Sequence, residues 1–173
     1  MNAVNTLLEE FKRSLPATKA HLSRLPEDKL DWRPAEKSLT LGQLALHIAE
    51  SPGGTSSLAL TDSFDISGGP SFRQPESVAE ILETFEASCA EARDNLDKAA
   101  GLPLGGIIAF TLEGAPVFEM SRGDILRDIF LNHTYHHRGQ LGVYLRLLGV
   151  PVPSTYGPSA DESMMPTPEG QAV

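Results

Sequence analysis

Asn132-His133-Thr134-Tyr135-His136-His137-Arg138-Gly139-Gln140 carries three of the chain's five histidines within five consecutive residues. The apolar residues around it, Ile125, Ile129, Leu141, Tyr144, Leu145 and Leu148, recur at helical spacing, so the histidines belong on a helical wheel. At about 100° per residue, the apolar side chains from Ile125 to Leu148 point on average about 60° clockwise of Ile129. His133 then falls at about 40° and His137 at about 80°, on either side of the inward direction, while His136 lies about 80° away from it. Two imidazoles, one turn apart, face the interior.

A single buried histidine is readily satisfied by a carbonyl or a hydroxyl. Two at i and i+4 bring four ring nitrogens that need partners and add little packing. A divalent cation removes the difficulty, because His-x-x-x-His on one helical face places two ring nitrogens within reach of one ion at about 2.0–2.1 Å. A third ligand must come from elsewhere in the chain, and two histidines remain. His47 lies in the apolar helical run Thr40-Leu41-Gly42-Gln43-Leu44-Ala45-Leu46-His47-Ile48, whereas His21 sits among charges, beside Lys19 and Arg24. His47, His133 and His137 are therefore the candidate metal ligands. A His133/His136 pair stays open, since i and i+3 also share a face.

The chain is acidic, with 14 Lys and Arg against 23 Asp and Glu, a net charge of -9 and a pI near 4.9. That balance argues against nucleic acid or an anionic membrane surface as partner, both of which need clustered positive charge. It suits a neutral or cationic small molecule, or a metal. Cys89 is the only cysteine, so no internal disulfide is expected. The N-terminal residues lack the basic start and apolar core of a signal peptide, and no stretch reaches the roughly 18 apolar residues of a membrane span. A cytoplasmic protein is expected. At 173 residues the chain suits one domain, over residues 1–160, followed by a tail over 161–173.

Val4, Leu7, Leu8, Phe11 and Leu15 open an amphipathic helix over residues 3–24, bent at Pro16. Trp32 reads as a packing anchor in the connector that follows. Thr40 with Gln43 is a capping box, and the helix it opens is expected to run to about Ser51, where Pro52-Gly53-Gly54 interrupts it. The stretch from Gly53 to Pro75 is long for a loop, so it either adds helical turns over Thr55–Thr61 or lies over the mouth of the site. Val78, Ile81, Leu82, Phe85, Cys89, Ala92 and Leu96 predict a third helix over 76–99, with Cys89 as a core residue. Residues 106–120 predict a short hairpin or an extended crossover. Ser121 with Asp124 opens the fourth helix, over 121–148, which Gly149 and Pro151 close. Four long helices and one long crossover make an all-α, up-and-down four-helix bundle, an architecture whose metal sites come from facing helices.

With these residues in view, the chain resembles the DinB-like superfamily, which includes the YfiT-type proteins. The resemblance rests on Leu44-Ala45-Leu46-His47-Ile48-Ala49, on Asn132 to Leu141 with its His-Arg-Gly-Gln, on Leu148-Gly149-Val150-Pro151, and on Trp32-Arg33-Pro34. It implies a four-helix bundle with a long crossover and a divalent ion, zinc or nickel, held by His47, His133 and His137. It implies further a transferase that uses a low-molecular-weight thiol, and a homodimer. His136 is then a residue beside the ligands or facing a loop.

Three neutral ligands leave the ion its charge and an open position, the arrangement of catalytic zinc. Such an ion can ionise a bound thiol or a bound water. A hydrolase acting through bound hydroxide, and a non-catalytic metal- or ligand-binding stress protein, are the alternatives. No convincing general base stands out. Glu50 and Glu113 are candidates to approach the ion, and Tyr135 and Tyr144 to donate to a substrate or to pack. Arg138 is read as structural, capping backbone carbonyls and pairing with an acidic side chain, with a hold on a carboxylate-bearing ligand as the alternative. Gly139 is read as permitting close helix approach, and Gln140 as holding a ligating histidine by its second nitrogen.

Overall fold

Four helices organise the computed structural model, which describes residues 3–163. α1 is Ala3–Leu22, α2 Leu41–Ser57 and α3 Val78–Ala99. α4 opens with Arg122–Asp124, passes through a π-helical segment, Ile125–Asn132, and continues as α-helix over His133–Leu147. The predicted caps are in place. The Thr40 hydroxyl accepts the Gln43 N–H while the Gln43 side chain accepts the Thr40 N–H, and the Ser121 hydroxyl accepts the Asp124 N–H. At the far end of α4, Gly149 adopts a φ of 73°, with Gly149 N–H bonded to the Arg146 carbonyl and Val150 N–H to that of Leu145. This is a Schellman ending that only a residue tolerant of left-handed φ accepts cheaply. The expected tail over 161–173 lies outside the described residues from 164 onward. Its first residues are tied down, Asp161 to Arg146 and Glu162 to Arg24.

Cross-helix contacts give the direction of each helix. Lys19 meets Glu86, and Lys12 and Arg93 line one groove, so α1 and α3 are antiparallel. Glu10 meets Arg127 and Thr18 meets Arg138, so α1 and α4 run together. Thr40 bonds Gln74 just ahead of α3, and Ser56 bonds Asn95 near its end, which makes α2 and α3 parallel. The order is thus up, down, down, up. The central pair is parallel, and the expected long crossover, residues 58–77, is what carries the chain back between them.

α2 also runs past the point where the sequence predicts an interruption, through Pro52 to Ser57, and a 3-10 turn at Leu58–Leu60 extends it. Pro52 removes a backbone donor and disturbs the carbonyls before it. α3 supplies the repair. The Ser88 hydroxyl accepts the Gly53 N–H at 2.8 Å and donates to the Glu50 carbonyl at 3.0 Å, while the Asn95 amide donates to the Gly53 carbonyl. Gly53 allows this approach, since a Cβ there would lie 2.5 Å from the Glu91 carboxylate and 3.2 Å from the Ser88 hydroxyl.

The expectation of an all-α protein is corrected by a three-stranded sheet. β2, Ile107–Leu112, and β3, Ala115–Ser121, form the hairpin that the sequence suggests, turning at Glu113 and Gly114, both with positive φ. β1, Ser63–Asp65, adds in parallel to β2. The strand of three residues has no sequence signal, because its side chains are all exposed and its pairing partner lies more than forty residues away. Arg122 joins the two connections, donating to the carbonyls of Ala59, Thr61 and Pro103 from a buried position.

The π-helical segment explains why α4 buries Ile125, Leu126, Phe130 and Leu131. These repeat at five residues, the period of i→i+5 bonding, and not at three and four. Ile129, which the wheel places inward, is only half-buried, and α-helical burial resumes at Thr134, Arg138, Leu141 and Leu145. The core joins Phe11 and Phe130, whose ring centroids are 4.9 Å apart, to Leu22, Leu41, Leu44, Ile48, Ile81 and Leu96. Cys89 is buried among them as expected, and Trp32 packs edge-to-face on Tyr144. Among the described residues no helix is long and apolar enough to cross a membrane.

The Ser88 bridge has a measurable worth. Ser88→Ala leaves a buried N–H and a carbonyl without their partner, and urea unfolding should show a loss of about 1–3 kcal/mol. An unchanged midpoint would mean that α2 passes Pro52 without help from α3. Burial pushes the Cys89 thiol up to about 12, so at pH 8 it is neutral and shielded. Iodoacetamide should label the folded protein only as fast as it unfolds, and the urea-denatured chain at once. Rapid stoichiometric labelling of native protein would place the thiol outside the core.

Candidate metal centre

α2 and the α-helical part of α4 run antiparallel and carry His47 to meet His133 and His137. His133 Nε2 lies 3.2 Å from His47 Nε2 and 3.0 Å from His137 Nε2. Ligands about 2.0–2.1 Å from one tetrahedral ion stand about 3.3 Å from one another, so these separations fit a shared cation. All three predicted residues are brought together, and among the described residues they are a group able to hold a metal ion.

Proton positions strengthen the fit. Gln140 Oε1 can only accept, so at 2.8 Å it fixes the proton of His137 on Nδ1 and leaves Nε2 with a lone pair. The Gln140 amide donates in turn to His136 Nε2 at 3.0 Å, which agrees with the same orientation of the side chain. With His137 Nε2 unprotonated, no placement of protons makes both contacts at His133 Nε2 good hydrogen bonds. One proton on His133 serves a single neighbour, and a proton on His47 leaves His133 and His137 facing each other through lone pairs. A central cation would satisfy all three. Burial, followed by the charge of His137, pushes His47 down to about 4, and burial with the neighbouring histidines does the same to His133. Burial lowers His137 too, against the Gln140 bond that raises it. Near neutral pH the three rings are neutral, the state in which imidazole ligates. His133 Nδ1 is buried without a hydrogen-bond partner, so packing alone orients that ring.

Other candidates fall into place around this cluster. His136 is exposed; its ring lies beside that of His137, centroids 4.9 Å apart, and its Nε2 accepts from Gln140, so it stands next to the ligands and the His133/His136 pair is not formed. Glu50 faces Arg73 at 3.6 Å and is not in the cluster; Glu113 occupies the hairpin tip. Tyr144 donates to the Leu39 carbonyl and Tyr135 to Glu10, which assigns both to packing. Arg138 turns toward α1, where it bonds the Ser14 carbonyl and the Thr18 hydroxyl, the structural role expected. Gly139 does not bring helices together, since a Cβ there would meet nothing within 4 Å.

Phe72 is the residue that sequence reasoning missed. Its ring stands edge-on to His47 with centroids 5.3 Å apart, and its carbonyl accepts from Gln43 of α2. Both readings of residues 53–75 are realised: the first part lengthens α2, and the later part lies over the site. No periodicity marks Phe72, because the segment that carries it is neither helix nor strand.

A DinB family model matches residues 1–170. Among curated proteins, the uncharacterized protein YrdA of Bacillus subtilis is 27% identical over 159 residues, covering 90% of this chain and 89% of its own. Two crystal structures of DinB-like proteins share the fold. One from Bacillus cereus has a TM-score of 0.63 at 24% identity, over 87% of this chain and 95% of its own. The other, YjoA of Bacillus subtilis, has a TM-score of 0.67 at 16% identity, over 92% of this chain and 99% of its own. The match along nearly the whole chain, on the fold just described, makes this protein a member of the DinB family.

Proposed function

We propose that His47, His133 and His137 hold a divalent metal ion, zinc or nickel, and that the protein is a metal-dependent transferase for a low-molecular-weight thiol. The observation that carries this reading is the convergence of three neutral ring nitrogens at 3.0 and 3.2 Å, with one tautomer locked by Gln140. An ion so bound keeps its full charge and an open position, and favours the ionised form of a thiol or water that fills it.

The chain's own residues fill the remaining roles. Gln140 keeps His137 Nε2 free of a proton and the ring in place. Phe72 covers the His47 ring and excludes water from one side of the cluster. Cys89 supplies no thiol here, being buried against α1, so the thiol arrives as a small molecule. The partners are accordingly a thiol cofactor and a small electrophile, in a cytoplasmic protein that needs neither nucleic acid nor membrane; a homodimer is compatible with this chemistry.

A second reading, a non-catalytic metal-binding protein, draws on one feature: no carboxylate among the described residues joins the three histidines to act as a base. A hydrolase using bound hydroxide meets the same lack. Thiol dependence separates the transferase from both.

Elemental analysis of protein purified without a His tag should find close to one equivalent of zinc or nickel, which His47→Ala and His137→Ala each abolish. A folded, chelator-treated protein that takes up neither Zn²⁺ nor Ni²⁺ would sink the metal reading. Gln140→Leu should bind the metal about 10–100-fold more weakly, because the ligand loses its orienting partner. His136→Ala, which removes a ring beside His137 but none of the three ligands, should keep full stoichiometry. Competition with a chelating dye reads both, and equal affinities for Gln140→Leu and the parent protein would show that Gln140 does not orient His137.

A further inference from the structure

The face of α4 turned away from the histidine cluster holds a second group of buried polar side chains. Arg138 and His21 are each only 3% exposed. The guanidinium donates through Nη1 to two uncharged acceptors, the Ser14 carbonyl at 3.3 Å and the Thr18 hydroxyl at 3.1 Å. Tyr135 and Tyr156 flank it, their ring centroids 5.2 and 5.0 Å from Cζ. The acidic residues of this region are committed elsewhere: Glu10 to Arg127, Glu162 to Arg24 and Asp161 to Arg146. Among the described residues Arg138 therefore has no carboxylate partner. A buried charge without a counterion is strongly unfavourable, and aromatic faces offset only a part of that cost.

Beside the guanidinium lies an open cavity of about 420 Å³, bounded by α1, α4 and the segment after Gly149, with His21, Arg138, Gly142, Val152, Thr155 and Tyr156 among its walls. That size suits a small molecule. His21 Nδ1 donates to the Ala17 carbonyl at 2.8 Å, which leaves Nε2 as an acceptor at the cavity wall. Burial, together with the charge of Arg138, lowers the ring's pKa and keeps it neutral. Gly142 makes the room, because a Cβ there would stand 3.6 Å from His21 Nε2 and any longer side chain would enter the space.

We propose that this cavity is a second ligand site, for a small oxyanion that carries its own hydroxyl, with Arg138 binding the anionic oxygen and His21 Nε2 accepting the hydroxyl proton. Hydrogenphosphate and a 2-hydroxycarboxylate share this chemistry. An anion without a hydroxyl satisfies Arg138 but leaves His21 unmatched. The site is independent of the metal reading, since it uses none of the three clustered histidines.

The test is an NMR titration of the full chain carrying His47→Ala, so that binding at the histidine cluster does not enter. Inorganic phosphate, glycolate and acetate are added separately, with chloride holding the ionic strength constant. The His21 ring and the Gly142 amide report. Saturable shifts with phosphate or glycolate, at least tenfold tighter than with acetate, are expected, and whichever of the two saturates at lower concentration identifies the source. Arg138→Gln and Gly142→Leu should each weaken binding at least tenfold. Arg138 also ties α4 to α1, so if Arg138→Gln fails to fold, Gly142→Leu decides alone. Shifts that grow linearly with every anion, or that Gly142→Leu leaves unchanged, would overturn the proposal.

Discussion

Two neighbouring helices that run the same way cannot be joined by a tight turn. α2 is 17 residues long, or about 25 Å, so the chain must travel that distance back before α3 can start beside it. Most of the less regular structure follows from this requirement. Residues 58–77 make the return trip. At its beginning the segment lies beside the ends of α2 and α3, where β1 finds the hairpin and pairs with it. Toward its end it passes the seam of α2 and α4 and sets Phe72 on His47 before Gln74 reaches Thr40. The cover over the histidine cluster is thus a product of topology.

The cluster itself depends on register. His133 begins the α-helical part of α4 immediately after eight residues of π-helix. The wider turns before it alter the angle at which the helix enters, so that Phe130 and Leu131 face the core in place of Ile129. Beyond that point the i, i+4 rule places His133 and His137 side by side toward α2. The same regular stretch turns Arg138 and Gly142 toward α1. One helix thereby carries two groups of side chains with different chemistries, imidazole nitrogens on one side and a buried guanidinium on the other.

The ligand candidates were legible because their signals are local. His133 and His137 share a helical face by spacing alone, Thr40 and Gln43 form their box within one turn, and Gly149 announces the helix end. The wheel put both histidines at the centre of the inward face, yet they are only half-buried, and the buried face of this stretch runs through Thr134, Arg138, Leu141 and Leu145. The reference residue, Ile129, lies in the π-helical segment, so its phase does not carry over to the α-helix after it, whereas the face shared by His133 and His137 rests on i, i+4 spacing alone. His47 needed a weaker argument, its apolar surroundings. The passage of α2 through Pro52 was not legible, because the groups that rescue it, Ser88 and Asn95, lie on another helix.

By itself, then, the sequence determined four amphipathic helices, the caps at Thr40 and Ser121, the ending at Gly149 and the shared face of His133 and His137, all of which are settled by contacts within a few residues. Only the tertiary structure decided that α2 and α3 run parallel, that β1 joins the hairpin, that Phe72 covers His47, and that Arg138 is buried beside His21 with no carboxylate partner among the described residues. The physical reason is the same in each case. These features depend on which distant groups satisfy a freed hydrogen bond, an apolar ring or a buried charge, and the identity of such a partner exists only once the chain has packed.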